Sequence, residues 1–179
     1  MSVLFLVGPR GSGKSLAAKL LTSKYACRSV DTDRLILDKS GQSVADIVAE
    51  KGWPAFREYE KEALREAAAL MAPSLDGFGV VATGGGIVLD AENRAFMREN
   101  GVVVYLTASP ELLIERLLHS RNMSGRPPLS DLSFEEEVRA TMAARDPLYR
   151  ETAHHFVNAE LEPDTVARVL YETIIRGKD

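Results

Sequence analysis

The stretch VLFLVGPRGSGKS, Val3 to Ser15, joins two patterns that decide the fold. Val3 to Val7 is a short, continuously apolar run ended by Gly8-Pro9, the signature of a strand buried on both faces. From Lys14 the apolar residues Leu16, Ala17, Leu20 and Leu21 recur at helical spacing. Between them, GPRGSGKS fits G-x-x-x-x-G-K-[ST]. The glycines let the backbone wrap so that its N–H groups face a phosphate chain, and the helix that follows presents its positive end there. Lys14 then reaches the β and γ phosphates, and the Ser15 hydroxyl suits a magnesium ion. The competing reading is a glycine-rich turn with a chance match. A strand before and a helix after are the context that the motif requires.

Outward from this loop, strands alternate with helical patterns. Strands are expected at Ser29–Asp31, Gly79–Ala82, Val102–Leu106 and His154–Val157. Helices are expected over Leu35–Lys39, Val44–Glu50, Phe56–Met71, Pro110–Leu118, Phe134–Arg145 and Asp164–Ile175. Such alternation predicts an α/β fold with a mostly parallel sheet and right-handed crossovers. Ser120 to Leu132, with Gly125, Pro127 and Pro128, reads as a polar loop.

Two more segments carry chemistry. Asp31 and Asp33 in VDTDRL lie at the expected C-terminal end of the second strand, where open α/β sheets bind ligands. If the strand continued, both side chains would turn to one side. One acid suits the magnesium shell; the other suits the proton of an attacking hydroxyl. The competing reading is an N-cap, Asp31 or Thr32 opening the next helix. TGGG, Thr83 to Gly86, follows a buried strand. Three bare glycines favour a surface on which a ligand lies against main chain, against the alternative of a turn needing positive φ.

The totals bound the rest. The chain has 179 residues, 45% hydrophobic and 27% charged, with formal net charge −4, which predicts one domain with a real core. Without a basic tail or arginine block, general nucleic-acid binding is not expected. Cys27 is the only cysteine, so there is no intrachain disulfide and no cysteine metal spacing. The N-terminal apolar run is too short for a membrane span and lacks a signal-peptide layout. A cytoplasmic protein without membrane or nucleic-acid partners is therefore expected; it is taken to be a monomer, a state that the residues themselves do not encode.

GPRGSGKS, VDTD, FREYE at Phe56 to Glu60, ATGGGIV at Ala82 to Val88, RPPL at Arg126 to Leu129 and RDPLYR at Arg145 to Arg150, in this order, resemble the shikimate kinase family. The DTD form and the GPRGSGK loop look closest to its second bacterial isozyme. The resemblance covers nearly the whole chain. It implies a five-stranded parallel sheet between helix layers in a P-loop kinase fold, with a substrate lobe at about 32–62 and a lid at about 119–132. It implies ATP as co-substrate, Mg2+, and transfer of phosphate to the shikimate 3-hydroxyl.

By the same resemblance, Gly11, Ser12, Gly13, Lys14, Ser15, Leu16 and Arg126 meet the nucleotide, and Ser15 with Asp31 holds the metal. Asp33, Arg57, Gly84, Gly85, Gly86 and Arg145 meet shikimate. Asp33, Lys14 and Arg126 carry the chemistry, Arg126 arriving on the lid.

The residue types suit these roles. An arginine fork donates two parallel bonds to a planar carboxylate, and Glu60 is placed to brace Arg57 on one helix face. Taken alone, Arg57 reads as a solvated helix residue and Arg145 as a cation at a helix C-terminus. Arg150 is an alternative carboxylate partner, and Arg121 a weaker nucleotide candidate. Trp53 and Phe56 read as core or lobe wall. Thr83 is placed to order water near the metal. Proline in RPPL departs from the family pattern but spares the role of Arg126, whereas the acidic VNAELEP segment, Val157 to Pro163, leaves the adenine contacts unassigned. The rival functions are another small-molecule kinase of this fold, such as gluconate kinase, and a catalytically silent nucleotide-binding module.

Overall fold

A computed structural model describes residues 3–72, 78–119 and 132–176. Five parallel strands form one sheet in the order β2-β3-β1-β4-β5: β1 (Val3–Val7), β2 (Arg28–Asp31), β3 (Gly79–Ala82), β4 (Gly101–Thr107) and β5 (His155–Asn158). The central strand β1 alternates its side chains between two cores. Leu4 and Leu6 pack with Leu21 of α1 (Lys14–Tyr25) and Leu170 of α7 (Pro163–Arg176). Val3, Phe5 and Val7 pack on the other face with Leu64 and Ala67 of α3 (Val44–Leu70), Met97 of α4 (Ala91–Asn100) and Tyr149 of α6 (Phe134–Thr152). Burial on both faces explains why β1 shows no polar alternation.

This layering creates the cleft. β1 and β3 are hydrogen-bonded neighbours, yet β1 leads into α1 on one face and β3 into α4 on the other. Chains that leave adjacent strands on opposite faces open a crevice at the strand ends. The phosphate loop and TGGG are the two segments that flank it.

Four elements differ from the sequence expectation. Helix α2 (Thr32–Ser40) begins directly at the end of β2, so the strand does not continue through Asp33; Asp31 N-caps the helix instead. The expected helices at 44–50 and 56–71 are one assigned element, broken at Gly52, whose φ of 82° is left-handed. Helix α6 runs past Arg145 and through Pro147 to Thr152. Proline removes one helix hydrogen bond, while Tyr149, fully buried against the sheet, carries the packing onward. Arg145 is thus helix-interior, and the reading of it as a C-terminal cation falls. Helix α4 was not expected: AENRAFMREN is mostly polar, and its buried face rests mainly on Met97 and Asn93.

A smaller cluster of Ile36, Val44, Ile47, Phe56 and Ala63 ties α2 to α3 beside the cleft.

Candidate active site

The phosphate loop is built on backbone geometry open to glycine. Gly8, Gly11 and Gly13 have φ of 146°, 84° and 91°, and Gly13 is the N-cap from which α1 starts. A Cβ on Gly11 would press on Leu117 of α5 (Pro110–His119) at 3.2 Å. Lys14 curls over the loop and donates to the carbonyls of Gly8 and Pro9, both at 2.8 Å. Ser12 is buried and lies 3.4 Å from Lys14 Nζ. Ser15 Oγ donates to Asp31 Oδ2 at 2.5 Å.

Asp31 is the N-cap of α2, the second of the two readings offered by the sequence. Its Oδ1 accepts from the amides of Asp33 and Arg34 at 3.0 and 3.2 Å, capping α2, while Oδ2 meets Ser15. The first turn of α2, and not the alternation of a continued strand, brings the two acids to one cavity. Lys14, Ser15, Asp31, Asp33, Thr83 and Gly85 border one cavity.

The glycines of TGGG answer a steric demand from protein side chains. Gly84 to Ile87 do close a turn, Ile87 N donating to the Gly84 carbonyl at 3.2 Å, but none of the three glycines has positive φ, so the turn does not require glycine. A Cβ on Gly84 would lie 2.8 Å from Asp33 Oδ1 and 2.8 Å from Glu60 Oε1. A Cβ on Gly86 would lie 2.8 Å from the Arg57 Cζ. A Cβ on Gly85 would face the phosphate loop, 3.2 Å from the Arg10 amide. Bare backbone therefore lets the acid, the cation and the loop approach one another. Gly84 N donates to Thr32 Oγ1 at 3.0 Å, and Thr83 Oγ1 donates to the Leu6 carbonyl at 2.9 Å, pinning the segment to β1 and α2.

Arg57 and Glu60 form an ion pair one helical turn apart, with Glu60 about 2% exposed. The Arg57 guanidinium also sits 5.2 Å from the Trp53 ring and 5.6 Å from that of Phe56. Phe56 belongs to the small core while both rings border the cleft, so core packing and wall coexist. From α6, Arg145 Nη1 donates to the Gly85 carbonyl at 3.2 Å. Arg57, Gly85, Gly86 and Arg145 share this second cleft with Arg10 and an apolar wall that includes Leu117 and Met142. The two cavities meet along the phosphate loop and Gly85.

Other candidates fall elsewhere. Arg150 pairs with Asp146 at 2.6 Å and lies 5.9 Å from the Phe156 ring, outside the residues bordering the cleft. Burial pushes the Cys27 thiol up to about 11, which fits a packing residue. Arg121, Arg126 and most of the expected lid lie outside the described residues. Sequence reading missed Arg116. Its guanidinium donates to the Ala159 carbonyl at 2.8 Å and borders a pocket beside the phosphate loop with Leu16, Leu161 and Pro163. Its position on α5 signals nothing, because the pocket forms only when α5, β5 and α7 assemble. Tyr149 was also missed; its hydroxyl donates to the Gly85 carbonyl at 2.5 Å. Among the described residues, no group of three or more His, Cys, Asp or Glu could hold a metal, and no helix is long and apolar enough to cross a membrane.

A phosphate loop and an acid on one cavity, adjoining a second cleft lined by two arginines, define a P-loop phosphotransferase for a small anionic acceptor. A family model described as shikimate kinase matches residues 10–175. "Shikimate kinase 2" of Photorhabdus laumondii is 41% identical over 98% of this chain and 97% of its own length. A shikimate kinase from Acinetobacter baumannii, solved in complex with shikimate, superposes with a TM-score of 0.87 at 31% identity, covering 99% of this chain and 95% of that one. The chain belongs to the shikimate kinase family. A gluconokinase from Sinorhizobium meliloti 1021 has a TM-score of 0.56 at 16% identity, covering 98% of this chain and 92% of its own, a likeness of fold alone.

Proposed function

We propose that this chain transfers the γ-phosphoryl group of ATP to the 3-hydroxyl of shikimate. The observation that carries the reading is the convergence of Asp33, Arg57 and Arg145 on the bare main chain of Gly84 to Gly86, next to the phosphate loop.

In this reading Arg57 and Arg145 clamp the carboxylate while the ring lies against the glycine segment. The hydroxyl is directed toward Asp33. As its oxygen forms the bond to the γ phosphorus, the bond to the bridging oxygen breaks, ADP leaves with the electron pair, and the hydroxyl proton passes to the Asp33 carboxylate. Lys14, now held by two loop carbonyls, turns to the phosphates once they bind. Arg126 is the candidate for charge on the transferring group, on the strength of the sequence resemblance.

The adenine is assigned to the pocket of Arg116, Leu16, Leu161 and Pro163, where a guanidinium faces apolar side chains suited to a base. The Ser15 hydroxyl and Asp31 carboxylate, side by side at 2.5 Å, fit Mg2+, which takes one or two protein oxygens and completes its shell with phosphate and water. When bound there, the ion neutralises phosphate charge.

The test is ADP release from ATP and Mg2+ with shikimate, with gluconate, and with neither. Shikimate-dependent release is expected. Release with gluconate alone, or with no acceptor effect, overturns the reading.

A further inference from the structure

We infer that Tyr149 is a positioning residue that lets Arg145 engage the acceptor. The inference rests on the shikimate reading above and extends it to a residue that does not border the cleft.

The Gly85 carbonyl is a node. Gly85 is buried, with the phosphate loop on one side: a Cβ there would meet the Arg10 amide nitrogen at 3.2 Å and the Gly8 carbonyl at 3.5 Å. On its other side two donors from α6 reach the same oxygen, Tyr149 Oη at 2.5 Å and Arg145 Nη1 at 3.2 Å. The two residues are four apart, so they lie on one helix face. Tyr149 is fully buried, its ring packed 4.9 Å from that of Tyr105. Burial also pushes its hydroxyl up to about 12, so it stays a donor throughout the working pH range.

The two donors are not equivalent. The tyrosine makes the shorter bond and is locked by packing. The arginine makes the longer one and borders the cleft. When Arg145 turns toward a carboxylate, the carbonyl keeps Tyr149 and no buried acceptor is stranded. Without the hydroxyl, the carbonyl depends on Arg145 alone. Substrate and main chain then compete for one guanidinium, and binding leaves a buried acceptor without its donor. The penalty falls on the acceptor-bound state, not on the free protein.

The experiment is Tyr149→Phe, which keeps the ring. Shikimate binding is read by fluorescence of Trp53, the only tryptophan, and KM values come from coupled ADP release. The expected result is a shikimate Kd and KM raised roughly tenfold, the size of one buried acceptor left unpaired, with ATP KM within about twofold of wild type by the same reasoning. The melting temperature should stay close to wild type, because Arg145 still serves the carbonyl in the free chain. Unchanged shikimate affinity, equal losses for both ligands, or a collapsed melting transition would each overturn the inference. Wild-type protein in the same assay separates the two readings. Absence of shikimate-dependent turnover there sinks the proposed function itself, whereas a normal wild type with a normal variant sinks only the role of Tyr149.

Discussion

Replacing Gly86 by alanine tests the architecture of the acceptor site most directly. Gly86 has φ −96° and ψ −2°, the conformation of the third residue of a type I turn, which is open to alanine. Any effect must therefore come from the added methyl. That carbon would sit 2.8 Å from both Cζ and Nη2 of Arg57, with Nη1 closer still. Ordinary contact begins at 3.4 Å, so the guanidinium must move by at least ~0.6 Å, since overlap of this kind is relieved by displacing the softer partner. The head group is the far end of a flexible side chain and can yield, but its ion pair with the buried Glu60 yields with it. Breaking such a pair outright costs roughly 3–5 kcal/mol; a displaced but surviving pair should cost about 1–3 kcal/mol in stability. For the acceptor, losing one charge-assisted bond of roughly 1.5–3 kcal/mol raises the shikimate KM by about tenfold to a hundredfold. The nucleotide side is untouched, so ATP KM should stay within about twofold. Steady-state kinetics by coupled ADP release and a thermal melt read all three quantities. A shikimate KM within about threefold of wild type, with no loss of stability, refutes the claim that this glycine exists to admit Arg57.

Gly85→Ala should shift the effect to the other substrate. Its methyl faces the phosphate loop at 3.2 Å, so ATP KM should rise severalfold and more than shikimate KM; the reverse order in the same assay counts against this geometry. Asp33→Asn should lower kcat by on the order of 10²-fold or more, the usual worth of a general base, with ATP affinity nearly intact by calorimetry; wild-type turnover would remove Asp33 from the proton path. His154 accepts the Val103 amide at Nδ1, 3.0 Å away, and partial burial, then Arg98 and His155, hold its pKa below the ordinary value of 6.5. The unfolded chain thus takes up this proton at higher pH than the folded one, so stability is full above about pH 6.5 and falls as pH drops through the folded pKa. Melting temperatures between pH 7.5 and 5.5 should fall less steeply in His154→Gln; an unchanged slope would assign the pH response to other groups.

The parts of this protein that were legible in its sequence are those set by local physics. The apolar run of β1, the glycine spacing of the phosphate loop and the start of α1 at Lys14 all follow from neighbours within about a dozen residues. Helix ends were less legible. Helix α6 continues through Pro147 because Tyr149 is buried against the sheet, a tertiary gain larger than one lost backbone bond. Helix α4 escaped because its polar sequence buries little beyond Met97 and Asn93. Asp31 looked like either a cap or a metal ligand; it caps α2 while its second oxygen meets Ser15, a contact between separate elements that no local pattern shows.

By itself the sequence determined a phosphate-binding loop on a parallel α/β sheet, because backbone conformation and burial periodicity are encoded residue by residue. Which side chains share the cleft was decided only by the tertiary structure. Gly84 and Gly86 are bare because Asp33, Glu60 and Arg57 press against them, and Gly85 is held by Arg145 and Tyr149 from 60 and 64 residues away. Steric exclusion between segments so distant along the chain leaves no local trace: a glycine kept small by a neighbour looks, in sequence, the same as one kept for a turn.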